Sequence, residues 1–189
     1  GCGDFSVLSA FTKAFATVGK KPEEVAVVSG IGCSSRIPAY LTSYGFHGVH
    51  GRALAAATGL KVARPDLTVV VAGGDGDGYS IGGNHFLHAC RRNVDLTYIV
   101  MDNHVYGMTK GQASPTTEPD WDNKLSPGGT GIRSFHPLVI ALAAGASVLT
   151  RPNPALAGQF TGKIRKSLKW GMAVGAAKNL PQIGRASCR

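Results

Sequence analysis

The chain has 189 residues, 43% of them apolar, with 26 glycines, which is enough for one domain with a buried core. No apolar run approaches the roughly 18 residues of a membrane-spanning helix. The first residues carry no basic, apolar signal segment, and four cysteines in such a chain argue for thiol or metal roles over a disulfide framework. The net charge of +9 is uneven: residues 1–150 hold 12 Lys and Arg against all 11 acids, while residues 151–189 hold 8 basic residues and no acid. The body of the chain is therefore nearly neutral. The expectation is a cytoplasmic protein with no nucleic-acid and no membrane partner.

In chain order, Asp4 is placed as an N-cap. Val7, Leu8, Phe11, Phe15 and Val18 then recur at helical spacing, and Gly19 can end the helix. Pro22-Glu23-Glu24 leads into a strand at 25–29, followed by a Gly/Ser loop at 30–36. An alanine-rich helix is expected over 52–64, with Pro65 as its stop. Two β-branched runs, 67–72 and 96–101, predict central strands, joined by a crossover helix within 79–92. Residues 106–133 are rich in Gly, Pro, Thr and Ser and lack periodicity, as ordered lids and binding loops do. A short helix at 137–144 and a strand at 147–150 follow. Strands alternating with helices predict an α/β fold with a doubly wound parallel sheet. A dinucleotide-binding fold is disfavoured, because no Gly-x-Gly-x-x-Gly opens a helix after the first strand.

The informative points are the two strand ends. Gly74-Asp75-Gly76 closes one central run and Asn103 closes the next. On neighbouring parallel strands, both emerge at the carboxyl edge, where open α/β sheets bind ligands. Asp75 offers a hard carboxylate oxygen, Asn103 an amide oxygen and Val105 a turn carbonyl. Magnesium prefers six oxygens and commonly shares its shell with substrate phosphates. Gly76, Gly78 and Gly107 let the backbone approach such a group. The ligand implied is a magnesium diphosphate.

The Gly-Asp-Gly motif, then 26 residues (77–102), then Asn103 resembles the thiamine diphosphate motif. Four further blocks stand in order. They are Gly1-Cys2-Gly3-Asp4-Phe5, Gly30-Ile31-Gly32-Cys33-Ser34-Ser35-Arg36, Tyr44-Gly45-Phe46-His47-Gly48-Val49-His50-Gly51-Arg52 and Tyr106-Gly107-Met108-Thr109-Lys110-Gly111-Gln112. Together they resemble the β subunit of 2-oxoacid:ferredoxin oxidoreductases, over residues 1 to about 150. The resemblance implies the diphosphate-binding half of the thiamine diphosphate-binding fold. It implies coenzyme A-dependent oxidative decarboxylation of a 2-oxoacid, 2-oxoglutarate first, with ferredoxin as electron acceptor.

By that resemblance, Asp75, Asn103 and Val105 hold Mg2+. Gly76, Asp77, Gly107 and Met108 contact the diphosphate, and Ile31, Gly32, Cys33, Ser34 and His50 contact the cofactor. Lys110 lies near the substrate carboxylate, where an ammonium suits an anionic 2-oxoacid. Cys2 and Cys33 are implied ligands of a [4Fe–4S] cluster, which takes four thiolates, so the ligand set here is incomplete. Cys90 reads as packed core, and His85, His88, Arg91 and Arg92 as helix faces. No acid in this chain is placed to activate the cofactor ring: Glu23 and Glu24 precede the first strand, and Glu118 lies in the long loop. In the family the α subunit supplies that group, so an α subunit is the expected partner. A thiamine enzyme without the redox step, of acetolactate synthase or decarboxylase type, and an inactive truncated fragment remain open alternatives.

The domain is expected to run over 1–175, cut at both ends, with a non-family tail at 176–189. Residues 163–170 keep a helical period, whereas 171–177 depart from the family pattern and no Pro-Cys follows. Residues 183–189 resemble the translation of a sequencing adapter, which would empty Cys188 of meaning.

Overall fold

A computed structural model describes residues 3–150 and 173–176. The main sheet is parallel throughout. Its strands are β1 (Val25–Ser29), β2 (Tyr44–His47), β3 (Thr68–Gly74), β4 (Thr97–Met101), β7 (Val148–Thr150) and β8 (Ala173–Ala176), in the order β2-β1-β3-β4-β8-β7. A two-stranded antiparallel ribbon, β5 (Val105–Tyr106) with β6 (Gln112–Ala113), stands apart.

Period-2 alternation sorts the strand side chains onto two apolar layers. Ala26, Val28, Val69, Val71, Tyr98 and Val100 face α2 (Ala53–Ala63), α3 (Gly83–Arg92) and α4 (Pro137–Ala143), where Leu54, Phe86, Ala89 and Ala141 complete the layer. Val25, Val27, Val70, Ala72, Ile99 and Met101 face the other way, onto Val7, Phe11, Ala14 and Phe15 of α1 (Asp4–Thr17). With both faces covered, β1 and β4 are buried along their whole length. That is why they read as continuous apolar runs rather than alternating ones.

The expected elements form, with shifts at their ends. Asp4 lies in the first turn of α1 and Gly3 takes the cap position, so the carboxylate meets the positive end of the helix as a first-turn acid. The crossover helix begins later than expected, because a π-helical turn (Asp77–Ile81) precedes α3. Asn93 ends α3 in the left-handed conformation. β3 extends through Gly73 and Gly74, whose backbones pair with Val100 and Met101. Four strands go beyond the elements the sequence predicts: the short ribbon strands β5 and β6, and β2 and β8 of the main sheet. β2 is fully exposed along one edge; Tyr44 and Phe46 suit a strand, but the run is short and broken by Gly45. β8 falls inside 171–177, a stretch expected to depart from the family pattern, and pairs with β4 and β7. Cys2, residues 163–170 and Cys188 lie outside the described residues. Among the described residues no helix is long and apolar enough to cross a membrane.

Candidate functional site

The strand order fixes where a ligand belongs. From β1 the chain leaves for β2 on one side, then returns to β3 on the other. The loops after β1 and β3 therefore part company at the carboxyl edge, opening the crevice in which such sheets bind ligands.

Asp77 ties that crevice together. It is buried, and its Oδ1 accepts hydrogen bonds from the backbone N–H of Ile31 (2.9 Å) and Gly51 (2.7 Å). His50 Nδ1 lies 2.9 Å from the same oxygen, without hydrogen-bond alignment. One carboxylate thus joins the loops after β1, β2 and β3. The fit is close: a Cβ on Gly30 would strike the Asp77 carboxylate, and one on Gly76 would strike the Tyr106 ring. Tyr106 lies over Gly76 and donates its hydroxyl to the Gly76 carbonyl at 3.2 Å. Ser34 is buried beside Gly74. Cys33 is half-buried and opens the 3-10 turn Ser34–Tyr40.

Asp75 has a different environment. It is 2% exposed, and Asp102, also buried, stands at the end of β4. The Thr116 hydroxyl lies between them, 2.9 Å from Asp75 Oδ2 and 2.7 Å from Asp102 Oδ1. A hydroxyl has one hydrogen, so only one carboxylate receives it at a time. Asp75 Oδ1 faces the Asn103 backbone N–H at 3.4 Å. Asp102 also accepts from the His104 N–H at 3.3 Å, while its Oδ2 is buried without a partner. No Lys or Arg among the described residues forms an ion pair with either carboxylate. Burial first, and the Asp102 charge second, push the Asp75 carboxyl up to about 6, with the Ser114 and Thr116 hydroxyls pulling the other way.

This donor set fits a hard cation. Among the described residues Asn103 Oδ1 accepts the Val105 N–H at 3.2 Å, and an amide oxygen has a second lone pair to offer. No three His, Cys, Asp or Glu side chains converge among the described residues, so a soft or zinc-type site is not built here. One buried carboxylate, one amide oxygen and the backbone carbonyl of Val105 would leave half of an octahedral shell to the ligand, as magnesium bound to phosphates requires.

The β5–β6 ribbon carries the rest. Gly107, Met108 and Lys110 lie in its tip, where Lys110 and Gly111 both have positive φ and the Gly111 N–H closes onto the Tyr106 carbonyl at 3.0 Å. Met108 and Lys110 are exposed. Glu118 pairs with His104 (2.9 Å) at the rim. Cys90 is core, and burial pushes its thiol up to about 11, which leaves it unreactive. His85 contacts Arg52 and His88 contacts Arg91 on the helix surfaces. Sequence reasoning misses Asp102 and Thr116. The one available signal is Ser114-Pro115-Thr116-Thr117, a hydroxyl-rich turn in a loop otherwise punctuated by glycine.

Comparison with known proteins identifies the family. The family model described as the thiamine pyrophosphate enzyme C-terminal TPP-binding domain matches residues 30–176. The 2-oxoglutarate synthase subunit KorB of Methanocaldococcus jannaschii is 47% identical over 169 residues, covering 89% of this chain and 63% of the relative. The 2-oxoglutarate oxidoreductase subunit KorB of Mycobacterium tuberculosis is 49% identical over 151 residues, covering 80% of this chain and 40% of the relative. A 2-oxoglutarate:ferredoxin oxidoreductase from Magnetococcus marinus, solved with 2-oxoglutarate, coenzyme A and succinyl-CoA bound, superposes with a TM-score of 0.91 at 44% identity, over 94% of this chain and 61% of that one. A thiamine diphosphate-dependent 4-hydroxybenzoylformate decarboxylase of Rhodococcus jostii shares the fold alone, with a TM-score of 0.58 at 18% identity. The chain spans less than two thirds of the length of each of these relatives. It belongs to the thiamine pyrophosphate enzyme family, through the TPP-binding domain carried by 2-oxoacid:ferredoxin oxidoreductase β subunits.

Proposed function

We propose that this chain is the diphosphate-binding part of a 2-oxoacid:ferredoxin oxidoreductase β subunit. In this reading it works in the cytoplasm with an α subunit, on 2-oxoglutarate first among 2-oxoacids, with coenzyme A as acyl acceptor and ferredoxin as electron acceptor. The observation that carries the reading is the buried Asp75 carboxylate, which has no Lys or Arg partner among the described residues and sits with Asn103 across two neighbouring parallel strand ends. Asp75, Asn103 and Val105 would hold Mg2+. Gly76 and Gly107 would lie against the diphosphate, and Met108 beside it.

Bound thiamine diphosphate supplies the carbanion stabilisation that decarboxylation of a 2-oxoacid needs. The chain's own residues bind and orient. Asp77 holds the loops carrying Ile31, Gly32, Cys33, Ser34 and His50 around the crevice. Lys110, on the ribbon tip, provides a positive charge for an anionic substrate. Cys33 and Cys2 would serve a [4Fe–4S] cluster with thiolates from elsewhere in the complete protein. Asp75, Asp77 and Asp102 are engaged within the crevice and Glu118 pairs with His104 at its rim, so in this reading the α subunit supplies the acid for ring activation.

The test is a titration of the complete β subunit, co-expressed with its α subunit, with thiamine diphosphate and Mg2+. Saturable binding lost in Asp75→Ala, with 2-oxoglutarate-driven reduction of a low-potential acceptor, is the expected result. Binding without electron transfer would indicate a non-redox thiamine enzyme, and no binding by the wild-type pair would sink the reading.

A further inference from the structure

Thr116 lies 41 residues from Asp75 and 14 from Asp102 in sequence, yet its hydroxyl touches both carboxylates. It is 2% exposed. Its backbone is held in place by bonds that do not involve this hydroxyl. Thr117 Oγ1 accepts the Ser114 N–H at 2.7 Å, and the Thr117 N–H reaches the Ser114 carbonyl at 3.1 Å. The Phe135 N–H bonds to the Pro115 carbonyl at 2.8 Å, and Ser134 Oγ to the Thr117 carbonyl at 2.8 Å. Phe135 in turn stacks on Tyr79, with ring centroids 5.3 Å apart. The segment is therefore anchored to the loop's far end and to the core. Ser114 Oγ stands 3.3 Å from the Thr116 hydroxyl. Ser114 Oγ also lies 3.3 Å from the Thr117 hydroxyl and helps to hold the Asp75 carboxyl, but among the described residues it is the Thr116 hydroxyl that stands within hydrogen-bond distance of both acids.

That placement divides the Asp75 carboxylate. Oδ2 meets Thr116, whereas Oδ1 faces Asn103. Two buried carboxylates with nothing between them would turn apart or demand a charge. A hydroxyl donor fixed on its own loop holds them side by side. Groups that orient a metal-binding carboxylate change metal affinity without touching the metal.

We propose that Thr116 is a positioning residue of the magnesium site: its hydroxyl pins Asp75 Oδ2 against Asp102 and so presents Oδ1 on the Asn103 side to the cation. The long loop thereby takes part in metal binding through a residue that is not a ligand. This rests on the magnesium–thiamine diphosphate reading above.

The experiment measures the half-saturating Mg2+ concentration for thiamine diphosphate binding by the complete, metal-stripped complex, together with the melting temperature of the metal-free complex. Thr116→Val keeps the shape and removes the hydroxyl. Thr116→Ser and Thr116→Ala both remove the methyl, but only the serine keeps the hydroxyl. The expected result is a rise in half-saturating Mg2+ of about 10-fold or more in T116V and T116A, with T116S within about 2-fold of wild type. Metal-free melting temperatures should be alike for T116S and T116A. Equal metal requirements in T116S and T116A overturn the proposal. So does failure of both T116V and T116A to give a folded complex, because the hydroxyl would then be a requirement of the fold. Asp75→Ala separates the two levels. If it leaves Mg2+ binding intact, the reading of the site itself fails. If it abolishes binding while T116V and T116A do not alter it, only the role of Thr116 fails.

Discussion

Asp75 and Asp77 lie two residues apart just after β3, both buried, and are held in different ways. Asp77 meets backbone N–H groups from two other loops, so its charge is compensated inside the chain whether or not a ligand is present. Asp75 meets a second carboxylate across a shared hydroxyl. The first arrangement builds the crevice. The second leaves a negative site that a cation would relieve. Burial therefore does not reveal a carboxylate's role; its partners do. Asp77, met by N–H groups, ties loops together, whereas Asp75, facing a second acid, carries charge left to be relieved.

Substitution separates the two most sharply. Asp75→Asn should raise the half-saturating Mg2+ for thiamine diphosphate on the order of 100-fold or more. It should also raise the melting temperature of the metal-free complex, because it removes one of two facing charges. A melting temperature lowered by this change would break the contrast. Asp77→Ala should do the reverse in kind. It strands the Ile31 and Gly51 N–H groups, costing about 2–4 kcal/mol of stability whether metal is present or absent, as denaturant midpoints would report.

pH sharpens the same contrast. The Asp75 carboxyl, raised from 3.8 to about 6 in the folded chain, takes up its proton earlier than it does in the unfolded chain. Between about 6 and 3.8 the folded form holds more protons, so the metal-free protein gains stability as pH falls through that window. The gain is on the order of 2–3 kcal/mol at its full extent. Magnesium binding should weaken over the same fall, because the cation needs the ionised carboxylate. Melting curves and Mg2+ titrations at about pH 7 and about pH 5, on either side of the folded-state midpoint, would check both trends, with Asp75→Asn as the control lacking this contribution. The smallest effect expected is at Gly76→Ala. The new methyl must displace the Tyr106 ring, which should cost about 1–3 kcal/mol, and Tyr106→Leu in the same chain should recover part of it.

Much of the fold is legible in the residue pattern. The strands β1, β3 and β4 are covered on both faces, so they carry unbroken apolar runs, and their ends place Asp75 and Asn103. The edge strand β2 is not legible, since exposed residues are under no demand to be apolar or to alternate. The π-helical turn at Asp77–Ile81 escapes a linear reading as well: at its end a Cβ on Gly82 would crowd the Gly51 carbonyl of another loop, and that contact is a tertiary fact.

The order of elements, the two buried strands with the acid and amide at their ends, and the likeness to a thiamine-dependent family all follow from the linear pattern. Strand burial and glycine-bounded loops impose local regularities along the chain, and these survive in the order of residues. How each of two neighbouring aspartates is held, Asp77 by N–H groups of two other loops and Asp75 against Asp102, does not follow from it. Nor does the reach of Thr116 to both Asp75 and Asp102. Those outcomes depend on groups tens of residues apart meeting in a space without water. There a single hydroxyl or N–H changes what a carboxylate can do, and no local pattern encodes the meeting.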